Sequence, residues 1–428
     1  VQRFYVETLG CPKNDVDSDK IVGTLTAQGL VASAEPESAD VIVVNTCAFI
    51  EEARRESIDT VLALGERRKA GARLVVTGCM AERYGDELAE ALPEADQVAG
   101  FGVPIALGRK PLGVTSAPVP AIDLLNLPRP KSTAPWAYVK IAEGCDRTCG
   151  FCAIPSFRGP QRSRDVESIL REVDELDVRE VVLVAQDLAS YGKDRPDELG
   201  AGAIVDLVDA VAKRVPRTRL LYLYPSDLTD RLIDSIIATS VPYFDLSLQH
   251  VAKAHLRRMR RWGDGTRFLE RIARIRSLAE DAAFRSNFIV GYPGETEEDH
   301  DELLRFVEEA QLDWCGFFTF SPEEGTHAMT LEDHVDPRLM QERIAELREL
   351  QDAITARRRD DLIGSTVEVL VDERGIGRSH REAPSIDGVV HVPETLEVGA
   401  FHSVAIVDAL GPDLVAEGTT VREGQHAG

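Results

Sequence analysis

The chain has 428 residues, which by length alone suggests about three domains, and 43% hydrophobic residues can fill several cores. A formal charge of −24 is met by solubility alone. Seven cysteines, an odd number, do not suit a disulfide framework, and with no charged, then apolar opening segment and no run able to span a bilayer a cytosolic location is expected.

Three short β-branched runs each lead into a cysteine. Phe4-Tyr5-Val6 leads to Cys11, Val41–Val44 to Cys47, and Leu74-Val75-Val76 to Cys79. Such runs read as buried parallel strands. Between them lie a helical stretch from Asp17, with Ile21, Val22 and Leu25 on one face and a stop near Gly29, and another from about Glu51 to Lys69. Strand–helix–strand order predicts a parallel α/β domain over residues 1–109, with all three strand ends at one edge. Ligands bind at that edge, so Cys11, Cys47 and Cys79 should converge. The competing reading is three unrelated core cysteines, since free cysteine is commonly buried.

A proline-rich linker is expected over 110–134, with Pro111, Pro118, Pro120, Pro128 and Pro130 and little periodicity. From 135 to 362 strand and helix alternate six times. The strands expected are Ala137–Ile141, Val181–Ala185, Leu220–Tyr224, Phe244–Leu248, Phe284–Val290 and Trp314–Phe320. The intervening helices are Val166–Leu176, Ile204–Val215, Leu228–Ala238, Phe268–Leu278 and Glu298–Ala310. Repeated βα units predict an open sheet or a partial (β/α)6 barrel whose function gathers in the loops after the strands.

The loop after the first of these strands carries Cys145, Cys149 and Cys152, spaced CxxxCxxC. Soft thiolates favour iron–sulfur, zinc or copper(I), and the spacing lacks the paired pattern of structural zinc sites. Three thiolates hold three irons of a cubane cluster and leave the fourth open. Two such triplets imply two clusters, and radical chemistry joined to delivery of a second group. Other strand-end candidates are Gln186 and Asp187, then Ser247, Gln249 and His250, then Gly291 in Gly291-Tyr292-Pro293-Gly294-Glu295-Thr296. Thr296 and Asp299 fit a helix capping box. His250 reads equally as a satisfied polar residue at the barrel mouth. Arg158, Arg162 and Arg164 suit a carboxylate or phosphate, or a solvated basic loop. A second basic stretch, Lys253 to Arg261 before Trp262, could bind nucleic acid, meet an acidic surface or line a helix. Cys315 reads as a core residue.

A long helix is expected from about Asp336 to Leu362, followed over 363–428 by a small antiparallel β-barrel with strands Val367–Val371, Val389–Val392, Val404–Val407 and Leu414–Glu417. From Thr366 to Gly428 four basic residues face eleven acidic ones, a net of −7. Such a barrel should repel phosphates and attract a basic protein.

On these residues the chain resembles the radical S-adenosylmethionine methylthiotransferases: a three-cysteine N-terminal domain, a CxxxCxxC barrel and a C-terminal TRAM domain. Lys140-Ile141-Ala142-Glu143-Gly144-Cys145, Ile154-Pro155-Ser156-Phe157-Arg158-Gly159 and Leu246-Ser247-Leu248-Gln249-His250 are similar to the RimO branch, which modifies a small-subunit ribosomal protein. The resemblance implies two [4Fe-4S] clusters, an auxiliary one on Cys11, Cys47 and Cys79 and a second on Cys145, Cys149 and Cys152 that binds S-adenosylmethionine. It implies cleavage of that cofactor to a 5′-deoxyadenosyl radical, hydrogen abstraction from the β-carbon of an aspartate, and transfer of a methylthio group. Gln186, Ser247, Gln249 and Gly291 stand as cofactor-binding candidates. Arg158, Arg162, Arg164 and His250 stand as catalytic or substrate-binding candidates. The partner expected is a basic ribosomal protein. Electron donor and sulfur source stay unassigned, and nothing demands more than a monomer. Two other readings compete: a transfer-RNA methylthiotransferase with the same chemistry, and a non-catalytic iron–sulfur protein that stores or delivers sulfur.

Overall fold

The structure, a computed structural model, describes residues 1–105 and 123–419. Its N-terminal part is a five-stranded parallel sheet of β1 (Arg3–Thr8), β2 (Val31–Ala32), β3 (Val41–Thr46), β4 (Arg73–Gly78) and β5 (Gln97–Ala99), in the order β2-β1-β3-β4-β5. β3 is buried on both faces, which its unbroken run of β-branched residues favours. Helices α1 (Pro12–Ala27), α2 (Glu51–Arg67) and α3 (Cys79–Ala91) connect the strands. α1 starts at Pro12 rather than Asp17, because proline suits the first helical position. The edge strands β2 and β5 are too short to carry a readable pattern.

The expected boundary at 109 and the prolines Pro111, Pro118 and Pro120 lie outside the described residues. The described end of that segment is tied down and not a free connector. Lys20 Nζ donates to the Leu125 carbonyl at 2.5 Å, and Arg129 donates to the Tyr138 carbonyl at 2.5 Å and pairs with Asp19.

Six parallel strands then form the partial barrel. β6 (Trp136–Lys140) precedes a short antiparallel pair, β7 (Ala142–Glu143) and β8 (Arg162–Ser163), that brackets the cysteine loop. β9 (Glu180–Val184) and β10 (Arg217–Leu220) complete one half; β11 (Tyr243–Gln249), β12 (Ala283–Val290) and β13 (Trp314–Thr319) form the other. A bridge between Leu223 and Leu246 joins the halves. The third strand therefore ends before the apolar run Leu220–Tyr224 does: Tyr222 adopts φ +64°, which breaks the ladder. The helices between are α4 (Ile154–Arg158), α5 (Val166–Leu176), α6 (Pro196–Leu199), α7 (Ala203–Ala212), α8 (Asp230–Ala238), α9 (Lys253–Arg258), α10 (Gly265–Leu278) and α11 (Glu297–Ala310). Inside the barrel Tyr138, Val182, Val184, Leu221, Tyr243, Ala283 and Trp314 form one cluster. Val16 of α1 enters this cluster from the N-terminal part, and Ala383 enters it from the C-terminal part.

α12 (Pro337–Asp360) leads to a closed barrel of β14 (Thr366–Glu373), β15 (Ile376–Arg378), β16 (Val390–His391), β17 (Phe401–Leu410) and β18 (Asp413–Ala416). Its pairings are antiparallel except β16 with β18, which is parallel. Buried ion pairs seat it on the larger barrel: Glu180 accepts from Arg219 at 2.8 Å and from Arg378 at 3.0 Å. Tyr138 Oη donates to the Pro384 carbonyl and Tyr243 Oη to Asp387, both at 2.6 Å. Asp372, Glu382 and Asp387 are thus committed to Arg378, Arg359 and Arg285. The outward negative charge is smaller than the residue count implies; Glu373, Glu397, Asp408 and Glu417 remain exposed. No helix among the described residues is long and apolar enough to cross a membrane.

Candidate active site

The ends of β1, β3 and β4 bring three thiols together. Cys11 follows β1 across Leu9 and Gly10, while Cys47 and Cys79 directly follow β3 and β4. Asn14 ties these loops: its Nδ2 donates to the carbonyls of Leu9 at 2.8 Å and Thr46 at 3.2 Å, and its Oδ1 lies 3.7 Å from Cys79 Sγ. Gly10 has φ +100°, and a Cβ there would meet Cys47 Cβ at 2.8 Å and its Sγ at 2.9 Å. Burial pushes the Cys47 thiol up to about 12, and the neighbouring Cys11 and Cys79 add to it. Burial likewise pushes Cys79 up, with Arg158 opposing. Held in this way Cys47 and Cys79 become thiolates only when a metal takes the proton's place. Three soft donors without a fourth fit an iron–sulfur cluster with one open iron.

The second triplet sits at the mouth of the partial barrel. Backbone bonds shape its loop: Cys145 N donates to the Gly159 carbonyl at 3.0 Å and Gly150 N to the Met259 carbonyl at 2.8 Å. Burial pushes Cys145 up to about 11 and Cys152 up to about 12, and the neighbouring thiols add to both. The same donor chemistry applies. Arg261 Nη1 donates to Cys149 Sγ at 3.3 Å, and its Nη2 donates to the Ser247 carbonyl. Arg147 pairs with Asp187 at 2.6 Å and with Asp227. Both guanidiniums lie over the Tyr224 ring, at 3.7 Å for Arg147 and 4.3 Å for Arg261. Sequence reasoning missed both roles. Arg147 lies inside the cysteine motif, which was a usable signal; Arg261 was absorbed into a basic stretch.

One side chain runs from the first triplet to the segment that leads into the second. Arg158 is buried; its Nη2 donates to Cys79 Sγ at 2.9 Å and to Asn14 Oδ1 at 2.8 Å. Its Nη1 donates to Asp17 at 3.0 Å and to Glu143 at 3.1 Å. Burial works against the Glu143 charge, but Arg158 and Lys140 outweigh it and hold that carboxyl down at about 2. Glu143 also accepts from Gln186 Nε2 at 2.6 Å, and the buried Gln186 Oε1 has no partner among the described residues.

The arginines after the triplet therefore part company. Arg158 serves the auxiliary thiols and carries no free edge for a substrate carboxylate. Arg164 is buried against Glu172 at 2.8 Å and the Lys140 carbonyl at 2.9 Å, behind the barrel wall. Arg162 is exposed and pairs with Asp123 at 2.9 Å. His250 is fully buried and accepts from Ala252 N at Nδ1, so it is neutral with its proton on Nε2, which lies 3.9 Å from Glu295. Burial pushes His250 well down and the adjacent His255 down to about 4. Glu295 accepts from Gly291 N at 2.7 Å and from Arg343 at 2.7 Å. His250 thus stands behind the glycine turn, where it packs and does not face the mouth. Gly291 has φ +83°, and the Met340 side chain occupies the place of a Cβ. Gln249 has φ +72° at a register shift in β11. Cys315 packs at the edge of the main core and touches neither triplet.

Family models match in three segments: the uncharacterized protein family UPF0004 over residues 3–100, the radical SAM superfamily over 139–307 and the TRAM domain over 363–418. Ribosomal protein uS12 methylthiotransferase RimO of Kineococcus radiotolerans is 40% identical, over 96% of this chain and 96% of its own. That of Moorella thermoacetica is 42% identical, over 91% and 93%, and that of Aquifex aeolicus 40%, over 97% of each. Among solved structures the radical S-adenosylmethionine methyltransferase TsrM from Kitasatospora setae aligns with a TM-score of 0.51 at 13% identity, over 74% of this chain and 73% of that one, a likeness of fold. The similarity runs through all three parts of the molecule, and the chain belongs to the RimO family of radical S-adenosylmethionine methylthiotransferases.

Proposed function

We propose that this enzyme adds a methylthio group to the β-carbon of an aspartate in ribosomal protein uS12, the substrate that the names of its relatives give. It would hold one [4Fe-4S] cluster on Cys11, Cys47 and Cys79 and another, with S-adenosylmethionine, on Cys145, Cys149 and Cys152. The observation that carries this reading is the presence of two separate thiol triplets, with Arg158 running from Cys79 to Glu143 in the segment that leads into the second. A single-cluster enzyme has no use for the second set.

When bound, the clusters and S-adenosylmethionine supply the one-electron chemistry and the sulfur group. The chain supplies the rest. Arg158 and Arg261 each donate to one thiol of a triplet, which lowers the negative charge that the loop must bear. The Arg147 clasp with Asp187 and Asp227 fixes the loop between Cys145 and Cys149. The Gly291 turn, covered by Met340, is held by Glu295 and Arg343, and the unpartnered Gln186 Oε1 offers an acceptor. Val16 and Ala383 pack against the apolar residues of the barrel interior.

Mass spectrometry of small-subunit proteins from cells with and without the gene tests this. One methylthio group on a single uS12 aspartate, present only with the gene, is the expected result. Unmodified uS12 together with loss of a methylthiolated adenosine in transfer RNA would overturn it. One observation favours that second reading: Lys253 and Arg257 of α9 and Arg260 just after it are exposed, beside the exposed Trp262. Absence of 5′-deoxyadenosine under reducing conditions would favour the non-catalytic reading.

A further inference from the structure

The reaction on an aspartate needs a cation that grips its carboxylate while a carbon-bound hydrogen is removed. The arginines that follow the second triplet do not offer one. Around the two thiol sets the other cations are also committed: Lys140 to Asp17 and Glu143, Arg147 to Asp187 and Asp227, Arg83 to Glu323, and Arg261 to Cys149 and a carbonyl. Beside the first thiol set, Lys13 is not paired in this way. It lies two positions after Cys11 in the first turn of α1, is half-buried, and has no carboxylate within salt-bridge distance. Its Nζ stands 3.4 Å from the centroid of the Tyr222 ring.

Tyr222 is itself unusual. It follows β10 at the barrel mouth with φ +64°, a conformation that bulky residues avoid, and its N–H is fixed by Asp245 at 2.9 Å. The strained backbone thus sets an aromatic platform between the auxiliary thiols and the strand ends of the barrel. An ammonium on a ring face keeps donors free for a second ligand, and a half-buried one binds a carboxylate more strongly than one in open water.

We propose that Lys13, set on Tyr222, is the receptor for the side-chain carboxylate of the target aspartate and so selects aspartate over its neutral isostere. This rests on the ribosomal-protein reading above. The carboxylate would then be held two positions from Cys11, on the side of the auxiliary set.

The test uses the reconstituted holoenzyme and two peptides that carry the uS12 target loop, one with the aspartate and one with asparagine in its place. Peptide affinity is read by fluorescence anisotropy without reductant, S-adenosylmethionine affinity in parallel, and methylthio product per 5′-deoxyadenosine with reductant. The wild type should prefer the aspartate peptide about tenfold or more. Lys13→Met should lose that preference, with S-adenosylmethionine affinity and iron content unchanged and 5′-deoxyadenosine formed without matching product. Lys13→Arg should keep part of the preference. A Lys13→Met enzyme that still prefers the aspartate peptide, or that loses S-adenosylmethionine affinity instead, overturns the assignment to Lys13 alone. A wild type inert on both peptides overturns the ribosomal-protein reading and this inference with it.

Discussion

At the scale of the residue, the convergence of Cys11, Cys47 and Cys79 was legible because each follows a β-branched strand, and Cys145, Cys149 and Cys152 stood out by their spacing. Their partners were not. Arg158 reaches Cys79 across 79 positions and Arg261 reaches Cys149 across 112, contacts that no local pattern carries. Arg164 looked equivalent to Arg158 because both follow the motif, yet strand pairing of Arg162–Ser163 sends the two side chains to different sides of the wall. Gly10 offers a sharp check. Gly10→Ala forces a side chain into a left-handed conformation, at a cost of about 1–2 kcal/mol, and drives its Cβ against Cys47. Iron and sulfide content should fall to that of a single cluster, while 5′-deoxyadenosine still forms under reducing conditions. Full iron content in this variant would separate Gly10 from the auxiliary thiols.

At the scale of the element, long amphipathic helices came through almost intact, since α5 and α11 have both a clear periodicity and clear ends. α11 begins on a capping box in which Asp299 N donates to Thr296 Oγ1 at 3.2 Å and Thr296 N donates to Asp299 at 3.0 Å. Thr296→Ala should cost about 1 kcal/mol in the first turn of this helix, read as faster hydrogen exchange there. S-adenosylmethionine affinity should hold, because Glu295 and Arg343 brace the glycine turn independently. Short strands were lost: β15 is Ile376-Gly377-Arg378, which shows no alternation at all. The third barrel strand was placed late for the opposite reason. Its apolar residues continue past the ladder because Leu221 fills the barrel interior and Leu223 bridges to the other half.

At the scale of the whole molecule, the division into parts was readable from composition, but the way they lock together was not. Glu180 is the keystone: burial opposes its charge, while Arg378, Arg219 and Arg217 hold its carboxyl down at about 2 against an ordinary 4.5. A depressed carboxyl stabilises the native state above its unfolded value, so this contribution, about 3 kcal/mol, is present above pH 4.5 and is lost as the pH falls toward 2. Glu180→Gln should cost about 3–5 kcal/mol at neutral pH by leaving buried guanidiniums unbalanced, and its urea-unfolding profile should be flatter with pH across that window. Parallel profiles for the two proteins would show that Glu180 does not carry the acid sensitivity. The same ion pair has a consequence for the birth of the enzyme. Glu180 and Arg378 are 198 residues apart. A ribosome adding about 5–20 residues per second needs roughly 10–40 s to join them. Through that interval the nascent barrel has a charged, uncapped floor. Its folding should therefore depend on chaperone cover during synthesis, and stalling translation between these two positions should expose it to proteolysis.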